Sequence, residues 1–490
     1  MPILIVVDDP SLWPFEIPEV EVVAARAYLT DAQYNDMRAV KLFNLCRSYR
    51  YQTAGYYVSL LAEARGHRPL PSVMAIQDLR LPSRVRLVSE DLDELIQKSL
   101  APLQSERFVL SVYFGRNLAR RYERISLNLF NLFQAPLLRA QFARDKGKWH
   151  LRSVTAISAS DVPESHRNFL VQVAREHFAG RRLRVKRKAP TRYDLAILHN
   201  PEEAAPPSSS KALQKFLKAG ERLGFAGELI TPDDYGRLAE FDALFIRETT
   251  AVNHHTYRFA RRAASEGLVV IDDPESIVRC TNKVYLAELL ARHGVAIPRT
   301  LVVHRGNADQ VIPQLGLPVV LKKPDSAFSL GVVKADTAEE LEAHLNRFLS
   351  ESDLAVAQQF LPTTFDWRIG IIDQRPIYAC KYHMAPKHWQ IINHQKEGDS
   401  RYGRFDTIPV ELAPRKAVSV ALKAANLIGN GLYGVDVKES DGRFYVIEVN
   451  DNPNLDSGVE DQILRDELYD RIIGSLLRRV EQRKAGLVAS

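Results

Sequence analysis

The 490-residue chain has only three cysteines and contains no long apolar run. Cys46, Cys280 and Cys380 lie far apart and are odd in number, so they match neither a metal-binding spacing nor a disulfide framework. No stretch approaches the roughly 18 apolar residues that a membrane helix needs. The opening segment lacks a basic leader and predicts a buried strand rather than a signal peptide. We therefore expect a protein of the reducing cytoplasm without a membrane partner.

The excess positive charge is concentrated in one segment. The net charge is +6 and the pI about 9.0, and residues 181–188 together with Arg192 contain much of the excess. Such a run can attract nucleic acid or an acidic polypeptide. No aromatic residues are interleaved with it for base stacking. We interpret the run as a solvated boundary between domains and expect no nucleic-acid partner.

The hydrophobic pattern divides the chain into three blocks, in keeping with its length. In the first block, residues 37–64 predict a largely helical stretch and residues 107–114 a strand. From Tyr193 onwards, short apolar strands alternate with helical stretches, which is typical of βαβ units with a parallel sheet. The third block begins near Thr281 and holds most of the candidate site residues. We predict an α/β (α+β) protein with three domains at residues 1–190, 191–280 and 281–490.

Two neighbouring strands near the C-terminus contain hard oxygen ligands of the kind that Mg²⁺ prefers. Glu448 and Asn450 share a face because side chains alternate along a strand. A three-residue loop at 440–442 would add Asp436 to that face, whereas a two-residue loop would not. The sequence leaves both loop lengths open. The pattern predicts a magnesium site, and the alternative is a surface hairpin with scattered acids.

A second pattern suits polyphosphate. The buried strand at 317–323 ends in Lys322 and Lys323 and is followed by a tight loop at 325–331. Lysine ammonium groups neutralise phosphate charge, and loop N–H groups bond its oxygens. The loop is poor in glycine and lacks the Walker signature, which argues against P-loop chemistry. Further along, Asp366 and Arg368 share a face of another strand.

The order of these features resembles the ATP-grasp superfamily, and within it the ligases related to the ribosomal-protein glutamate ligase RimK and to glutathione synthetase. The resemblance covers roughly residues 193–481 and is most specific in the Gly-Val-Asp segment at 434–436 and the Glu-Val-Asn-x-x-Pro segment at 448–453. The first block, through residues 44–50, 55–67 and 134–139, is similar to the extra N-terminal domain of a RimK-like subgroup. The resemblance implies an ATP-grasp fold preceded by a parallel-sheet pre-ATP-grasp domain and an additional N-terminal α/β domain.

The resemblance also implies roles for individual residues. Lys283 and Lys322 would contact the α- and β-phosphates, and Lys322 is preferred over Lys323 because its spacing from Pro318 and Gly331 fits the family pattern. The residues implied to bind ATP are Lys283, Lys322, Ser326, Ser329, Gly331, Gln358, Gln359, Phe360, Leu361 and Asp366. Among them, residues 326–331 would form a flexible loop that closes over the phosphates, and residues 358–361 a hinge whose backbone pairs with the adenine edge. The residues implied to hold one or two Mg²⁺ ions, or Mn²⁺, are Asp436, Glu448 and Asn450.

The segment in which an acyl phosphate would form departs from the family pattern. RimK-like enzymes usually have arginines after the Asp-x-Arg motif, whereas residues 381–393 contain none. Arg368 is the candidate for stabilising the acyl phosphate, with a second cation from Lys381, His383 or Lys387. Asn393 is a further catalytic candidate, because it follows the Asp-x-Arg motif in the order of features that is typical of the family. In the middle block, the segment at residues 247–250 (Arg-Glu-Thr-Thr), at a strand end, is a candidate contact for a substrate carboxylate.

These features predict an ATP-dependent carboxylate–amine ligase that works through an acyl phosphate. One substrate is expected to be an amino acid such as glutamate, and the other a small molecule, a peptide or a protein tail. The resemblance also allows a homo-oligomer. One alternative is a nucleotide-regulated binding module that docks on the ribosome or an acidic partner through its basic run, and another is ligation to a thiol. The complete set of predicted metal ligands favours the enzyme.

Overall fold

The computed structural model describes residues 3–13, 20–37, 40–179, 191–325, 331–392 and 403–486. The predicted site residues Ser326, Ser329 and Asn393 lie outside these described residues, as does the basic run at 181–188. The chain forms two compact units. The first comprises Met1–Lys188 and Asp233–Glu240, and the second Ala189–Pro232 and Phe241–Ser490. The division into three domains stays a prediction.

The first unit contains a four-stranded and a three-stranded sheet. Its strands are β1 (Ile3–Val7), β2 (Glu21–Ala24), β3 (Lys41–Asn44), β4 (Arg68–Leu70), β5 (Arg107–Tyr113), β6 (Leu137–Asp145) and β7 (Lys148–Ala156). Its helices are α1 (Ala25–Thr30), α2 (Gln33–Asp36), α3 (Ala54–Ala64), α4 (Val73–Asp78), α5 (Pro82–Asp91), α6 (Asp93–Leu100), α7 (Glu123–Phe133) and α8 (Arg167–Ala179).

The four-stranded sheet is parallel, in the order β2-β1-β3-β4. Every residue of β1 is buried, as expected for an apolar strand covered on both faces of a parallel sheet. The helix predicted over residues 37–64 is wrong in its first half, because Leu42 and Phe43 are buried in β3 and pair with strands on both sides. The three-stranded sheet is antiparallel, and its β6–β7 turn uses Lys146 and Gly147 in left-handed conformations.

The second unit begins with a parallel sheet in the order β11-β10-β8-β9, as the βαβ pattern predicts. Its strands are β8 (Tyr193–Leu198), β9 (Phe225–Ile230), β10 (Ala243–Ile246) and β11 (Val269–Ile271). The helices around it and after it are α9 (Ser210–Arg222), α10 (His255–Ser265), α11 (Pro274–Thr281) and α12 (Lys283–Arg292). This finding and the sheets that follow confirm the α/β class.

Two antiparallel sheets complete the second unit. The four-stranded "small sheet", in the order β12-β15-β13-β14, comprises β12 (Thr300–Val303), β13 (Val319–Lys322), β14 (Val332–Ala335) and β15 (Ala355–Gln359). The five-stranded "large sheet", in the order β18-β17-β16-β19-β20, comprises β16 (Phe365–Ile372), β17 (Arg375–His383), β18 (Phe405–Ile408), β19 (Leu432–Ser440) and β20 (Arg443–Asn450). The remaining helices are α13 (Val311–Leu315), α14 (Ala338–Glu351), α15 (Arg415–Ile428) and α16 (Asp466–Lys484).

Each antiparallel sheet has one face packed against a helix. Leu345 and Phe348 of α14 join the core of the small sheet, and Ala421 and Ala424 of α15 join that of the large sheet. Because side chains alternate along a strand, the other face of each sheet is free to line a cavity. Among the described helices, none combines the length and the apolar character needed to span a bilayer.

Candidate active site

A cavity of about 1010 Å³ in the second unit is lined by residues of both antiparallel sheets. Lys322 of β13 and Gln358 of β15 come from the small sheet, and Asp436 of β19 comes from the large sheet. The loop at residues 249–253, which follows β10 of the parallel sheet, forms a further part of the wall. The predicted site residues that line the cavity are Lys283, Lys322, Gln358, Gln359, Phe360, Leu361, Asp366, Arg368, Asp436, Glu448 and Asn450.

A β-bulge brings the three predicted metal ligands onto one face. The β19–β20 hairpin has a two-residue turn at Asp441 and Gly442, both with positive φ, and Ser440 pairs with Arg443. With that turn alone, Asp436 would face away from Glu448. The register shifts beyond Val437, so that Asp436 pairs directly with Glu448. The extra residue in β20 thus restores the face that the turn alone would have reversed.

The face that holds Asp436, Glu448 and Asn450 offers the donor atoms that a divalent cation prefers. Asp436 and Glu448 supply carboxylate oxygens, and Asn450 supplies an amide group whose Nδ2 lies 3.3 Å from Asp436 Oδ2. Two carboxylates and an amide, with positions left for phosphate oxygens and water, form the kind of set that holds Mg²⁺ beside a nucleotide. Lys283 Nζ lies 3.4 Å from Glu448 Oε1, so this face already attracts cations.

The two lysines predicted to contact phosphates enter the cavity from different elements. Lys283 is the first residue of α12, and its backbone N–H donates to Pro324 O at 2.8 Å. Lys322 is the last residue of β13, and both lysines are only 8% exposed. Burial lowers the pKa of Lys322 to about 8, with Lys283 contributing in the same direction and Glu448 opposing it. A buried ammonium of this kind gains strongly from an anionic ligand.

Arginine and lysine side chains neutralise the acids of the large sheet. Arg368 Nε and Nη2 donate to the two oxygens of Asp436 at 2.7 and 2.8 Å. Burial alone would lower the pKa of Arg368, but Asp436 raises it well above its ordinary value. Asp366, whose pKa burial raises, accepts a hydrogen bond of 2.6 Å from Lys438. Lys438 lines the cavity and was missed by the sequence analysis, because it lies two residues beyond the predicted motif.

The predicted hinge at residues 358–361 lines the cavity at the end of β15. Gln358 Nε2 donates to Thr300 Oγ1 at 3.0 Å, and Gln359 Oε1 accepts from Arg299 Nε at 3.2 Å. These side chains therefore support the hinge from the protein side. The ring of Phe360 lies edge-on to that of Trp389, with 6.0 Å between the ring centres. Trp389 is another cavity residue that the sequence analysis missed, and no motif marked it.

Comparison with known families gives this geometry a context. Residues 280–465 match the RimK-like ATP-grasp domain, and residues 25–173 match the RimK-like ATPgrasp N-terminal domain. The chain is a RimK-like ATP-grasp protein. The family uses ATP with Mg²⁺, and the chain is by family an ATP-dependent ligase that joins a carboxylate to an amine.

Individual relatives of this RimK-like protein are distant. A "Probable alpha-L-glutamate ligase" of Vibrio vulnificus (strain YJ016) is 27% identical over 235 residues, which are 47% of this chain and 74% of that protein. The "Alpha-aminoadipate--LysW ligase LysX" of Saccharolobus solfataricus is 26% identical over 267 residues, which are 50% of this chain and 90% of that protein. The crystal structure of D-alanine–D-alanine ligase from Bacillus anthracis aligns with a TM-score of 0.45 and 17% identity, covering 60% of this chain and 100% of that one.

Two predicted catalytic residues, Lys381 and His383, are not brought to the cavity of the RimK-like domain. Lys381 pairs with Trp367 and shares its face, which packs against α15. Its ammonium lies 5.0 Å from the centre of the Trp367 ring and 5.1 Å from that of Phe365. His383 Nε2 lies 2.7 Å from Asp406 Oδ2. The alternation of β17 thus directs both side chains away from the face that holds Arg368.

Gly331 also lies outside the cavity lining described for this RimK-like domain. It is buried at the start of the segment that leads into β14, and its carbonyl accepts a hydrogen bond of 2.8 Å from the N–H of Lys323. This bond closes the base of the predicted phosphate loop. Lys323 itself turns outwards and forms an ion pair of 2.6 Å with Glu351 of α14. Lys322 lines the cavity and Lys323 does not, in agreement with the preference for Lys322 that its spacing from Pro318 and Gly331 indicated.

Arg247 has a different position from the one that the sequence suggested. Its side chain is fully buried, and its guanidinium donates to four protein oxygens rather than facing the cavity. The acceptors are Ser208 Oγ, Asn452 Oδ1, Pro207 O and Pro453 O, at distances of 2.5 to 3.0 Å. The predicted contact of residues 247–250 with a substrate carboxylate is therefore wrong for Arg247, whereas Thr249 and Thr250 of the same segment line the cavity. Arg247 instead anchors the chain just beyond the metal-ligand strand β20.

An acidic end of the cavity was not predicted from the sequence. Glu460 lines the cavity although it is only 1% exposed, and it accepts hydrogen bonds from the Tyr382 hydroxyl and from Asp456 N. Burial raises the pKa of Glu460 to about 7. The Tyr382 ring lies against Arg368, whose guanidinium carbon is 5.0 Å from the ring centre. Glu460 follows the motif in an irregular segment, so no periodic signal marked it.

Proposed function

We propose that this RimK-like protein activates a carboxylate as an acyl phosphate at the cost of one ATP and transfers the acyl group to an amine, with a glutamate-like amino acid as one substrate. The observation that carries the proposal is the convergence of three hard ligands, two buried lysines and Arg368 on one cavity. The names of the relatives, a probable glutamate ligase and an aminoadipate ligase, support an amino acid substrate.

In the first step, a carboxylate oxygen of one substrate attacks the γ-phosphorus of ATP and ADP leaves. A carboxylate is a poor acyl electrophile because its negative charge repels nucleophiles, and phosphorylation removes that charge. Phosphoryl transfer depends mainly on positioning and on neutralising charge. We assign this role to Lys283 and Lys322. One or two Mg²⁺ ions, or Mn²⁺, held by Asp436, Glu448 and Asn450 would neutralise further phosphate charge.

In the second step, the amine nitrogen attacks the acyl carbon and the tetrahedral intermediate expels phosphate. We assign stabilisation of the oxyanion to Arg368, which Asp436 holds by two hydrogen bonds. At neutral pH the amino group of an amino acid is mainly an ammonium, which must lose one proton before its nitrogen can attack. The nitrogen loses a second proton with the departing phosphate. We propose that the Glu460 carboxylate accepts the proton of the ammonium. Glu460 accepts a hydrogen bond from the Tyr382 hydroxyl, and the ring of Tyr382 lies against Arg368.

A cavity closed to water protects the acyl phosphate from hydrolysis. We assign the exclusion of water to the loop at residues 326–331, which the family resemblance implies to close over the phosphates, and to the segment at residues 394–406. We also propose a homo-oligomeric state, a cytoplasmic location and an acceptor that is a small molecule, a peptide or a protein tail.

The test is phosphate release from Mg²⁺-ATP across pooled amino acids and short acidic peptides. We expect release that requires a particular pair of substrates and that disappears in Glu448→Ala. Glu351→Ala is the matched control, because Glu351 pairs with the outward lysine Lys323 and should leave the rate unchanged. An ATP-binding protein that releases no phosphate with any substrate pair would favour the nucleotide-regulated binding module instead.

A further inference from the structure

A second group of potential metal ligands lies at the carboxyl edge of the parallel sheet, apart from the acids of the large sheet. Glu248 follows β10, His254 is the N-cap of α10, and His255 is its first residue. One ligand nitrogen of each histidine and one carboxylate oxygen of Glu248 all lie within 4.8 Å of one another. Ligands collect at this edge in open α/β sheets because the loops after successive strands converge there.

Neighbouring residues hold this group in place. Glu248 is buried, its Oε1 accepts from Asn200 Nδ2 at 3.3 Å, and its Oε2 lies 2.8 Å from His255 Nε2. His254 Nδ1 lies 3.1 Å from Thr256 Oγ1, which fixes the plane of the ring. Metal-binding imidazoles and carboxylates are typically oriented by such outer hydrogen bonds. The carboxylate and the His254 ring are thus already oriented without an ion.

The chemistry of the group selects a particular class of ion. Two imidazoles and one carboxylate suit Zn²⁺ and related divalent ions of the first transition row, whereas Mg²⁺ prefers oxygen. Three protein ligands leave one position for water or another ligand. A plain hydrogen bond accounts for Glu248 and His255, but it does not account for the His254 ring, whose centre lies 3.9 Å from that of His255 with the ring planes tilted by 42°.

The group of Glu248, His254 and His255 flanks a loop that lines the cavity. Glu248 immediately precedes residues 249–253, and His254 immediately follows them. All of these loop residues line the cavity. An ion bound by Glu248 and His254 would therefore close the loop at both ends and fix one wall of the cavity.

We propose that Glu248, His254 and His255 bind a Zn²⁺-class divalent cation that fixes the loop at residues 249–253. The site is independent of the Mg²⁺ ligands Asp436, Glu448 and Asn450, because it uses other side chains at the edge of another sheet.

The experiment uses the full chain, stripped of metal and then saturated with Mg²⁺ so that the oxygen ligands of the cavity are occupied. Titration with Co²⁺ should produce the visible absorption of a low-coordinate nitrogen and oxygen site at one equivalent, and Zn²⁺ should displace it. We expect His254→Ala and His255→Ala each to weaken binding by more than about tenfold, since even outer partners contribute about 10- to 100-fold. His293→Ala, an exposed histidine at the end of α12, should bind Co²⁺ like the wild type.

A measurement without substitutions guards against misfolded variants. Long-range ¹H–¹⁵N spectra of histidine rings should show the ring nitrogens of His254 and His255 shifting on addition of Zn²⁺, with those of His293 unchanged. Shifts of both rings at one equivalent support the proposal. Absence of Co²⁺ absorption, or absorption that survives in the His254→Ala/His255→Ala double variant, overturns it.

Discussion

The small sheet and the large sheet line the same cavity, but they hold charge in different ways. On the small sheet, Lys322 stands at the end of β13, and burial lowers its pKa to about 8. On the large sheet, Asp436 is paired with Arg368 and Asp366 with Lys438. The small sheet thus offers a positive charge that gains from a phosphate, whereas the large sheet holds its charges in compensated pairs.

The difference shows how a protein can store opposite charges without losing its fold. A buried charge with no partner is costly, so only a few such groups are tolerated. Paired charges can be numerous, but each pair depends on both members. Substitutions of paired residues on the large sheet should therefore change both the free energy of unfolding and the rate of the reaction. Substitutions on the small sheet should mainly change the affinity for the nucleotide.

The largest effect is expected for the Asp436–Arg368 pair. Asp436→Leu should lower the free energy of unfolding by about 3 kcal/mol, because it leaves the Arg368 guanidinium, whose side chain is only 16% exposed, without its partner. The double variant Asp436→Leu/Arg368→Leu should recover most of that loss in urea unfolding, yet neither variant should release phosphate.

The exposed pair Lys323–Glu351 is the control, and Glu351→Ala should leave the urea midpoint nearly unchanged, because surface ion pairs contribute little to stability. If the double variant were as unstable as Asp436→Leu, the loss of stability would not come from an unpaired Arg368 guanidinium, and the proposed difference between the two sheets would be contradicted.

The next effect concerns Glu460 at the acidic end of the large sheet. Glu460→Gln should lower turnover with an amino acid by about 10²- to 10⁴-fold, because the variant lacks the carboxylate that converts the substrate ammonium to the attacking amine. Hydroxylamine is a good nucleophile that is mostly unprotonated at neutral pH, so it should react at a nearly normal rate in the variant. Hydroxamate formation measures this rescue.

Glu439→Gln, at an exposed position of β19, is the control for Glu460. An equal loss with hydroxylamine and with the amino acid would contradict the proton transfer and would leave Glu460 with a purely structural role.

The small sheet should show a pH effect. Because Lys322 loses its proton near pH 8, its attraction for phosphate weakens as the pH rises from 7 to 9, and the affinity for ATP should fall by up to about tenfold per pH unit above 8. Lys322→Arg stays charged and should remove this dependence, whereas the outward Lys323→Arg should retain it. Calorimetric titration of ATP at pH 7 and pH 9 measures both.

Stability should follow the opposite trend in the absence of ATP. Lys322 has a folded pKa of about 8 against an ordinary value of 10.5, so the unfolded chain binds more protons between these values. The free energy of unfolding should therefore gain a contribution that grows as the pH rises from 8 to 10.5, on the order of 3 kcal/mol. A flat difference between wild type and Lys322→Met over this range would contradict the lowered pKa.

The smallest effect is expected at the hinge. Gln359→Glu should change ATP affinity by less than about threefold, because the side chain binds Arg299 on the protein side and a glutamate would form the same contact. A large gain in affinity would indicate that the side chain itself reaches the nucleotide. ATP titration of the variant at one pH is sufficient.

The sequence by itself determined the class of the fold and most of the residues that line the candidate site. Period-two alternation is a local property of the chain, so it is sufficient to place Glu448 with Asn450, and Asp366 with Arg368, on common faces. Strand ends and motif spacing likewise separate Lys322 from Lys323. Residues 37–64 show the limit of local pattern, because strand β3 within them is stabilised by partners distant in sequence.

Only the tertiary structure decided how these elements meet. Whether Asp436 faces Glu448 depends on both the turn and the bulge, and a change of one residue in either reverses the face. Lys381 and Arg247 are cations at strand ends like Lys322, but packing directs one onto Trp367 and the other onto four protein oxygens. Glu460 comes from an irregular segment with no period to mark it. Contacts between distant parts of the chain set these positions, and a local pattern does not contain them.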